Sequence, residues 1–323
     1  MSGRVRETFS LVERLKATED LNSHLRYFKG FNNCYILLYK SRQILENTKV
    51  FVGVLFIRVK RMGEEMELIR ILLKIIMWVL MIGFGCNFIM QTVSYSFYKG
   101  AKKMTDTTCV PQYIQFNNEL TGYGHNLDVS SDKVILFFGG SYYIAYNSVG
   151  KYADKFECPF LAVDYYGTQD SKGKMNLTTM KESAIELYDW TKSKYPQAEI
   201  AIMGHSYGVG MATYLASVRQ CKTLVLAAGY RDISDLYNKM IPIFWGSLKV
   251  FISNNIQTSE YAKCVTSPVY IIGSSADRTL GAALQEKLSD CFVNSELKIF
   301  DDIKHEDYFV SEDVIEYINK RIQ

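Results

Sequence analysis

Histidine is scarce in this 323-residue chain, which has only four: His24, His125, His205 and His305. Chemistry that needs an imidazole base therefore has few candidates. Cys34, Cys86, Cys109, Cys158, Cys221, Cys264 and Cys291 form no Cys-x-x-Cys and no metal-ligand spacing. Clusters of His, Asp and Glu suited to a catalytic metal are also absent, so no metal and no other cofactor is expected. The net charge is only +3, with acids and bases mixed, which gives no reason to expect nucleic-acid binding. There are five prolines, no proline-rich linker, no repeat and no low-complexity tract. One stretch, Ile75 to Tyr98, lacks charge altogether.

That stretch is long enough, at about 1.5 Å per helical residue, to cross a hydrocarbon core of roughly 30 Å. It reads as one transmembrane or signal-anchor segment over residues 67–98, with membrane contact through residues 75–98. Asn87, Gln91 and the serines make its second half polar, so a signal-peptide core with a cleavage site beyond is the alternative, giving a secreted protein. Arg58, Lys60, Arg61, Arg70 and Lys74 precede it, against Lys99, Lys102 and Lys103 after it. This bias favours a cytoplasmic N-terminus and an extracytoplasmic domain beyond the segment. Residues 1–66 show no functional pattern. Met66 resembles a natural translation start, so residues 1–65 are an accessory segment or lie outside the working protein.

Gly204-His205-Ser206-Tyr207-Gly208 is the most informative motif. Before it, Ala198 to Met203 is short, apolar and rich in isoleucine, as a buried parallel strand should be. After it, Val209, Ala212, Thr213 and Ala216 recur at helical spacing. Strand, tight turn and helix are the context in which such a serine is forced to the tip of a strained turn. Ser206 is the candidate nucleophile.

A serine hydroxyl needs an adjacent base. His24 precedes the apolar segment, His205 sits inside the turn, and His125 reads as a surface-loop residue ahead of the first strong strand. His305 follows the strand-like run Leu297 to Phe300 and precedes a final amphipathic helix. It is the candidate base. The orienting carboxylate should also follow a strand. Asp277 stands just past Pro268 to Gly273, at the end of the sheet where an α/β fold builds its site. Asp232 and Asp235 are rivals, and Asp301 and Asp302 are disfavoured by their closeness to His305. For an oxyanion, Val134 to Phe138 runs into Gly139-Gly140-Ser141. A backbone N–H of Gly140 or Ser141 and that of Tyr207 are the candidate donors.

The order oxyanion loop, serine, aspartate, histidine resembles the α/β-hydrolase superfamily from about Lys133 onward. Val163-Asp164-Tyr165-Tyr166-Gly167 followed by Ser171-Lys172-Gly173 resembles the small membrane-anchored branch that is monoglyceride-lipase-like and serine-aminopeptidase-like. Phe138 departs from it, since many members carry a structural histidine there. The resemblance implies an α/β-hydrolase fold and leaves ester, thioester and peptide substrates open.

The chain pattern agrees. Strands are expected near 133–138, 161–165, 198–203, 223–228, 268–273 and 296–300, with a weaker strand or two between Tyr113 and Leu127. Helices are expected near 179–194, 207–219, 280–291 and 310–321, with Thr179 to Glu182 as a capping box. Such alternation predicts a mostly parallel sheet with helices on both faces, over residues 105–323. The long interval at about 230–265 is either a small lid or an ordinary crossover. Tyr237, Phe244 and Trp245 are its candidate pocket residues.

The resulting expectation is a serine hydrolase of carboxylic esters or thioesters, acting on a small or lipid-like acyl substrate. The alternatives are a peptidase of the serine-aminopeptidase type and a non-catalytic binding module on the same fold. The residues are silent on oligomeric state.

Overall fold

Val134, Ile135, Leu136, Phe137 and Phe138 are all fully buried. Successive strand side chains point to opposite faces, so this strand is covered on both. The structure, a computed structural model, describes Lys49, residues 67–99 and residues 101–322. The expectations for His24 and for the rest of residues 1–66 fall outside the described residues.

Eight strands form one sheet in the order β1-β2-β4-β3-β5-β6-β7-β8. They are β1 Gln112–Gln115, β2 Thr121–His125, β3 Lys133–Phe138, β4 Phe160–Val163, β5 Glu199–His205, β6 Thr223–Ala227, β7 Val269–Ser274 and β8 Ser295–Phe300. β1 pairs antiparallel with β2, and β2 antiparallel with β4. All other pairings are parallel. The weak segment between Tyr113 and Leu127 is therefore a hairpin at the sheet edge, and His125 ends a strand instead of lying in a loop.

Helix α1 covers Glu67–Lys99, and α2 covers Ala145–Tyr152. They are followed by α3 Leu177–Lys194, α4 Val209–Val218, α5 Ile233–Met240, α6 Thr258–Ala262, α7 Ala282–Ser289 and α8 Glu312–Ile322. The expected capping box at Thr179 is displaced. Asn176 is the N-cap: its side chain accepts from the Thr178 and Thr179 N–H groups, while Thr179 Oγ1 accepts from the Asn176 N–H.

The chain divides into two compact units, Met1–Trp78 and Val79–Gln323. The described helical part of the first exposes Ile69, Ile71, Leu72, Ile75, Ile76 and Trp78. Ile69–Ser94 is long and apolar enough to cross a membrane. The second unit holds the sheet and the remainder of α1 from Val79 onward.

The strand order reverses around β3 and β5, because β4 lies on one side of β3 and β5 on the other. A crevice opens at such a switch point, outside the carboxyl ends of the strands. In the register, Phe138 of β3 lies beside Gly204 of β5. The loop after β3 and the turn after β5 therefore leave the sheet side by side.

Candidate active site

Ser206 follows β5 directly and has φ +52°, a left-handed conformation that is rare for a residue with a side chain. The following glycine makes the turn possible. A Cβ on Gly208 would lie 2.2 Å from the Phe138 carbonyl oxygen and 2.5 Å from that of Gly139. Helix α4 begins at Val209, so the serine sits where β5 hands over to the helix.

His305 Nε2 is 2.9 Å from Ser206 Oγ, and His305 Nδ1 is 2.9 Å from Asp277 Oδ2. With Nδ1–H donating to the carboxylate, Nε2 is left to accept from the serine hydroxyl. Asp277 is buried and receives four donors: His305 Nδ1 and Tyr308 Oη at Oδ2, and the Thr279 and Leu280 N–H groups at Oδ1. Burial pushes its pKa up, but the hydrogen bonds from His305, Leu280 and Thr279 outweigh it and hold the carboxyl below its ordinary value. The loops that carry Asp277 and His305 are joined by Ser274 Oγ, which accepts from the Ile303 N–H at 3.0 Å and the Ala276 N–H at 3.2 Å.

The structure therefore brings Ser206, His305 and Asp277 together in one chain of hydrogen bonds. It sets the rival acids aside. Asp232 binds Lys249 and Ser259, and Asp235 pairs with Arg231 at 2.9 Å. Gly140 borders Ser206: a Cβ there would come within 2.9 Å of Ser206 Cβ. Ser141 and Tyr207 line the same cavity as Gly140.

That cavity has a volume of about 570 Å³, within the range usual for small-molecule sites. Ile233, Leu236, Tyr237, Lys239 and Met240 of α5 border it. Of the three aromatic candidates in this segment, only Tyr237 reaches it. Phe244 is fully buried behind Tyr237, with ring centroids 5.7 Å apart, and Trp245 is exposed on the surface. A short apolar run beside a cavity has both an inner and an outer face, and its composition does not say which residue takes which.

Three neighbours escape a reading by motif. His205 Nε2–H donates to the His305 carbonyl at 2.8 Å. Tyr308 donates to Asp277. Asp164, from the Val-Asp-Tyr-Tyr-Gly segment, is buried and accepts the Ala145 N–H at 2.8 Å. It thereby holds the start of α2, and with it the end of the loop that contains Gly140. Burial raises its carboxyl to about 7 against that hydrogen bond. No group of residues among those described is suited to holding a metal.

Comparison with known proteins agrees with this architecture. The family model described as X-Pro dipeptidyl-peptidase (S15 family) matches residues 160–260. Protein ABHD12B of Homo sapiens is 30% identical over 156 residues, covering 42% of each chain. The lysophosphatidylserine lipase ABHD12 of Danio rerio is 28% identical over 149 residues, covering 41% of this chain and 39% of its own. The chain thus spans about two fifths of the length of the curated relatives it matches. Among solved structures, esterase Pf2001 of Pyrococcus furiosus superposes with a TM-score of 0.52 at 16% identity, over 69% of this chain and 95% of that one. Est1E of Butyrivibrio proteoclasticus, solved with ferulic acid, gives 0.50 at 16% identity, over 65% and 99%.

The chain has an α/β-hydrolase fold. Within this fold the described cysteines are all free, so the domain is held by its sheet and core without a disulfide among them.

Proposed function

We propose that the chain is a serine hydrolase that cleaves a carboxylic ester through an acyl-enzyme on Ser206. The observation that carries this reading is the continuous 2.9 Å and 2.9 Å relay from Ser206 Oγ through His305 to Asp277, opening into a cavity of about 570 Å³. Ser206 Oγ attacks the carbonyl carbon while its proton passes to His305 Nε2, and Asp277 steadies the resulting imidazolium. The backbone N–H groups of Gly140 or Ser141 and of Tyr207 stabilise the oxyanion. Collapse breaks the ester bond, and His305 returns the proton to the departing alcohol. Water, deprotonated by His305, then releases the acid from Ser206.

The substrate we favour is a single-chain lipid with an anionic head. The cavity is lined by apolar side chains, including Ile233, Leu236 and Leu280, while Lys151 and Lys239 outnumber Glu306 among its charged groups. Several relatives are named as lysophosphatidylserine lipases. The apolar run from Ile69 supports a single-pass membrane anchor, and the excess of Lys and Arg before it over those after it supports a hydrolase domain on the extracytoplasmic side. A peptidase remains the second reading, because the matching family model is a dipeptidyl-peptidase. It would need a carboxylate for a substrate's free amine, and Glu306 is the acid that borders the cavity.

The test is reaction of the full chain with a fluorophosphonate probe, mapping of the labelled residue, and assay of fatty-acid release from lysophosphatidylserine against cleavage of aminoacyl amides. Label on Ser206 with fatty-acid release is the expected result. Label with amide cleavage alone would favour the peptidase, and absence of both would leave a binding module on a hydrolase fold.

A further inference from the structure

Helix α1 contains a pattern that a lipid-facing helix does not require. Gly83, Asn87, Met90, Ser94 and Tyr98 recur at spacings of four, three, four and four residues, which places them on one face of the helix. Each of them meets the hydrolase unit. A Cβ on Gly83 would strike the Phe251 ring at 2.5 Å, so the glycine forms a notch for that ring. Asn87 makes two bonds to Ser253: its Nδ2 donates to Ser253 Oγ at 3.0 Å, and its Oδ1 accepts the Ser253 N–H at 3.2 Å. Gln91 Nε2 donates to Tyr237 Oη at 3.0 Å and also to the Ser253 carbonyl. Met90 is 3% exposed and, with Ser94, lines the cavity that contains Ser206. Tyr98 is also buried, with its ring edge-on to Tyr207, the residue after the nucleophile, at 5.7 Å between centroids. The other side of the same turns exposes Phe88 and Ile89.

Amides are costly in a hydrocarbon unless they find partners. Here both amides are bonded to Tyr237 or Ser253, in the segment whose helix α5 borders the cavity, which accounts for the polar second half of an otherwise apolar run. We infer that the second half of this helix is a wall of the active site, and that Met90 and Ser94 set the length of acyl chain the cavity accepts. The inference depends on the proposed ester hydrolysis for its acyl substrate, and on the packing of α1 for its residues. Met90 and Ser94 are contributed by the apolar segment itself, so the helix proposed as the membrane anchor also shapes the cavity.

The experiment uses the full chain in detergent micelles, with Met90→Ala, Met90→Trp, Ser94→Leu and, on the exposed face, Phe88→Ala. The first readout is kcat/KM across p-nitrophenyl acetate, butyrate, octanoate and laurate. Met90→Ala should move the preference toward longer chains. Met90→Trp and Ser94→Leu should lower laurate relative to acetate by about tenfold, the effect of losing room for one or two methylenes. Phe88→Ala should match the parent. The second readout is binding of a dansyl-labelled fatty acid to the same substitutions made on Ser206→Ala, which requires the cavity and no chemistry. Met90 and Ser94 variants that match the parent in both readouts overturn the inference, as does a Phe88→Ala chain that shifts alongside them. A parent that hydrolyses no ester, yet binds the fatty acid in a manner governed by Met90, would overturn the hydrolase reading alone.

Discussion

His205 Nε2–H donates a hydrogen bond across 2.8 Å to the backbone carbonyl of His305. The residue before Ser206 therefore holds the residue proposed to take that serine's proton. The His205 ring lies against Tyr308 and Phe309, at 6.0 and 5.8 Å between centroids, so the two residues are linked through packing as well as through the hydrogen bond. Burial first, and repulsion from a charged His305 second, lower the His205 pKa to about 3. It stays a neutral donor whenever the domain is folded near neutral pH.

Replacing His205 should separate positioning from mere packing. His205→Leu removes the donor and should lower kcat about tenfold or more with little change in KM, because the imidazole of His305 loses its orientation. His205→Gln keeps an N–H near the same place and should recover most of that loss. Equal rates for the Leu and Gln variants would sink the positioning role. Stability offers a second readout. Between about pH 3 and an unfolded histidine value of about 6.5, the unfolded chain binds a proton that the folded chain refuses. Stability therefore rises with pH across that window and is lost as pH falls, by up to about 1.4 kcal/mol per pH unit. Urea melts of His205→Gln should show a flatter dependence there.

Ser206→Ala and His305→Ala should each reduce ester hydrolysis by about 10⁴-fold or more, and the double variant should be hardly worse than either, since the two act as a unit. Denaturant melts should remain cooperative. Hydrolysis at the parent rate by Ser206→Ala would show that the nucleophile lies elsewhere.

Asp277→Asn should cost about 10²- to 10⁴-fold in kcat, by disturbing the His305 tautomer. Asp232→Asn and Asp235→Asn should change activity little, because both acids are occupied by Lys249 and Arg231. The Asp277 carboxyl is held below its ordinary value in the fold. Its contribution to stability is thus present above the unfolded value of about 3.9 and is lost as pH falls through the lower folded value. Comparing acid melts of the parent with those of Asp277→Asn checks the sign: the parent should lose the larger share of its stability below about pH 4.

Gly208→Ala should disrupt the turn after β5. Its methyl would meet backbone oxygens of β3 and the following loop at 2.2 and 2.5 Å, neither of which can move aside cheaply. Loss of soluble protein, or a drop of several kcal/mol in unfolding free energy, is expected. Gly85→Ala meets nothing within 4 Å and should be tolerated. Similar melting curves for the two variants would contradict this account of the turn.

Asp164→Asn tests the buried acid that holds the start of α2. With its carboxyl raised to about 7, the folded chain holds a proton that the unfolded chain releases above about 3.9. The parent therefore loses stability as pH rises from about 4 to about 7. Asn keeps an acceptor for the Ala145 N–H and carries no titrating group, so its stability relative to the parent should climb over that window. A constant difference between the two would mean that Asp164 does not titrate there.

The sequence alone determined most of the sheet and the residues to examine. Its strands are short apolar runs whose burial on both faces leaves a local signature, as at Val134 to Phe138. Ser206 is legible because a strand, a Gly-x-Ser-x-Gly turn and a helix occur consecutively, and His305 because the chain has so few imidazoles. The tertiary structure decided which groups meet. Asp277 and Asp232 both follow β-strands, and only the parallel register of β7 with β8 brings the Asp277 loop beside the one carrying His305. The His205–His305 bond joins residues 100 positions apart, which no local pattern can encode. Phe244 and Trp245 could not be sorted from Tyr237 because a short segment hides which of its sides faces inward. The same holds for α1. Its length and apolarity can be read from composition, whereas the destination of Asn87, Met90, Gln91 and Ser94 depends on a surface built from residues some 150 positions further along the chain, near Tyr237 and Ser253.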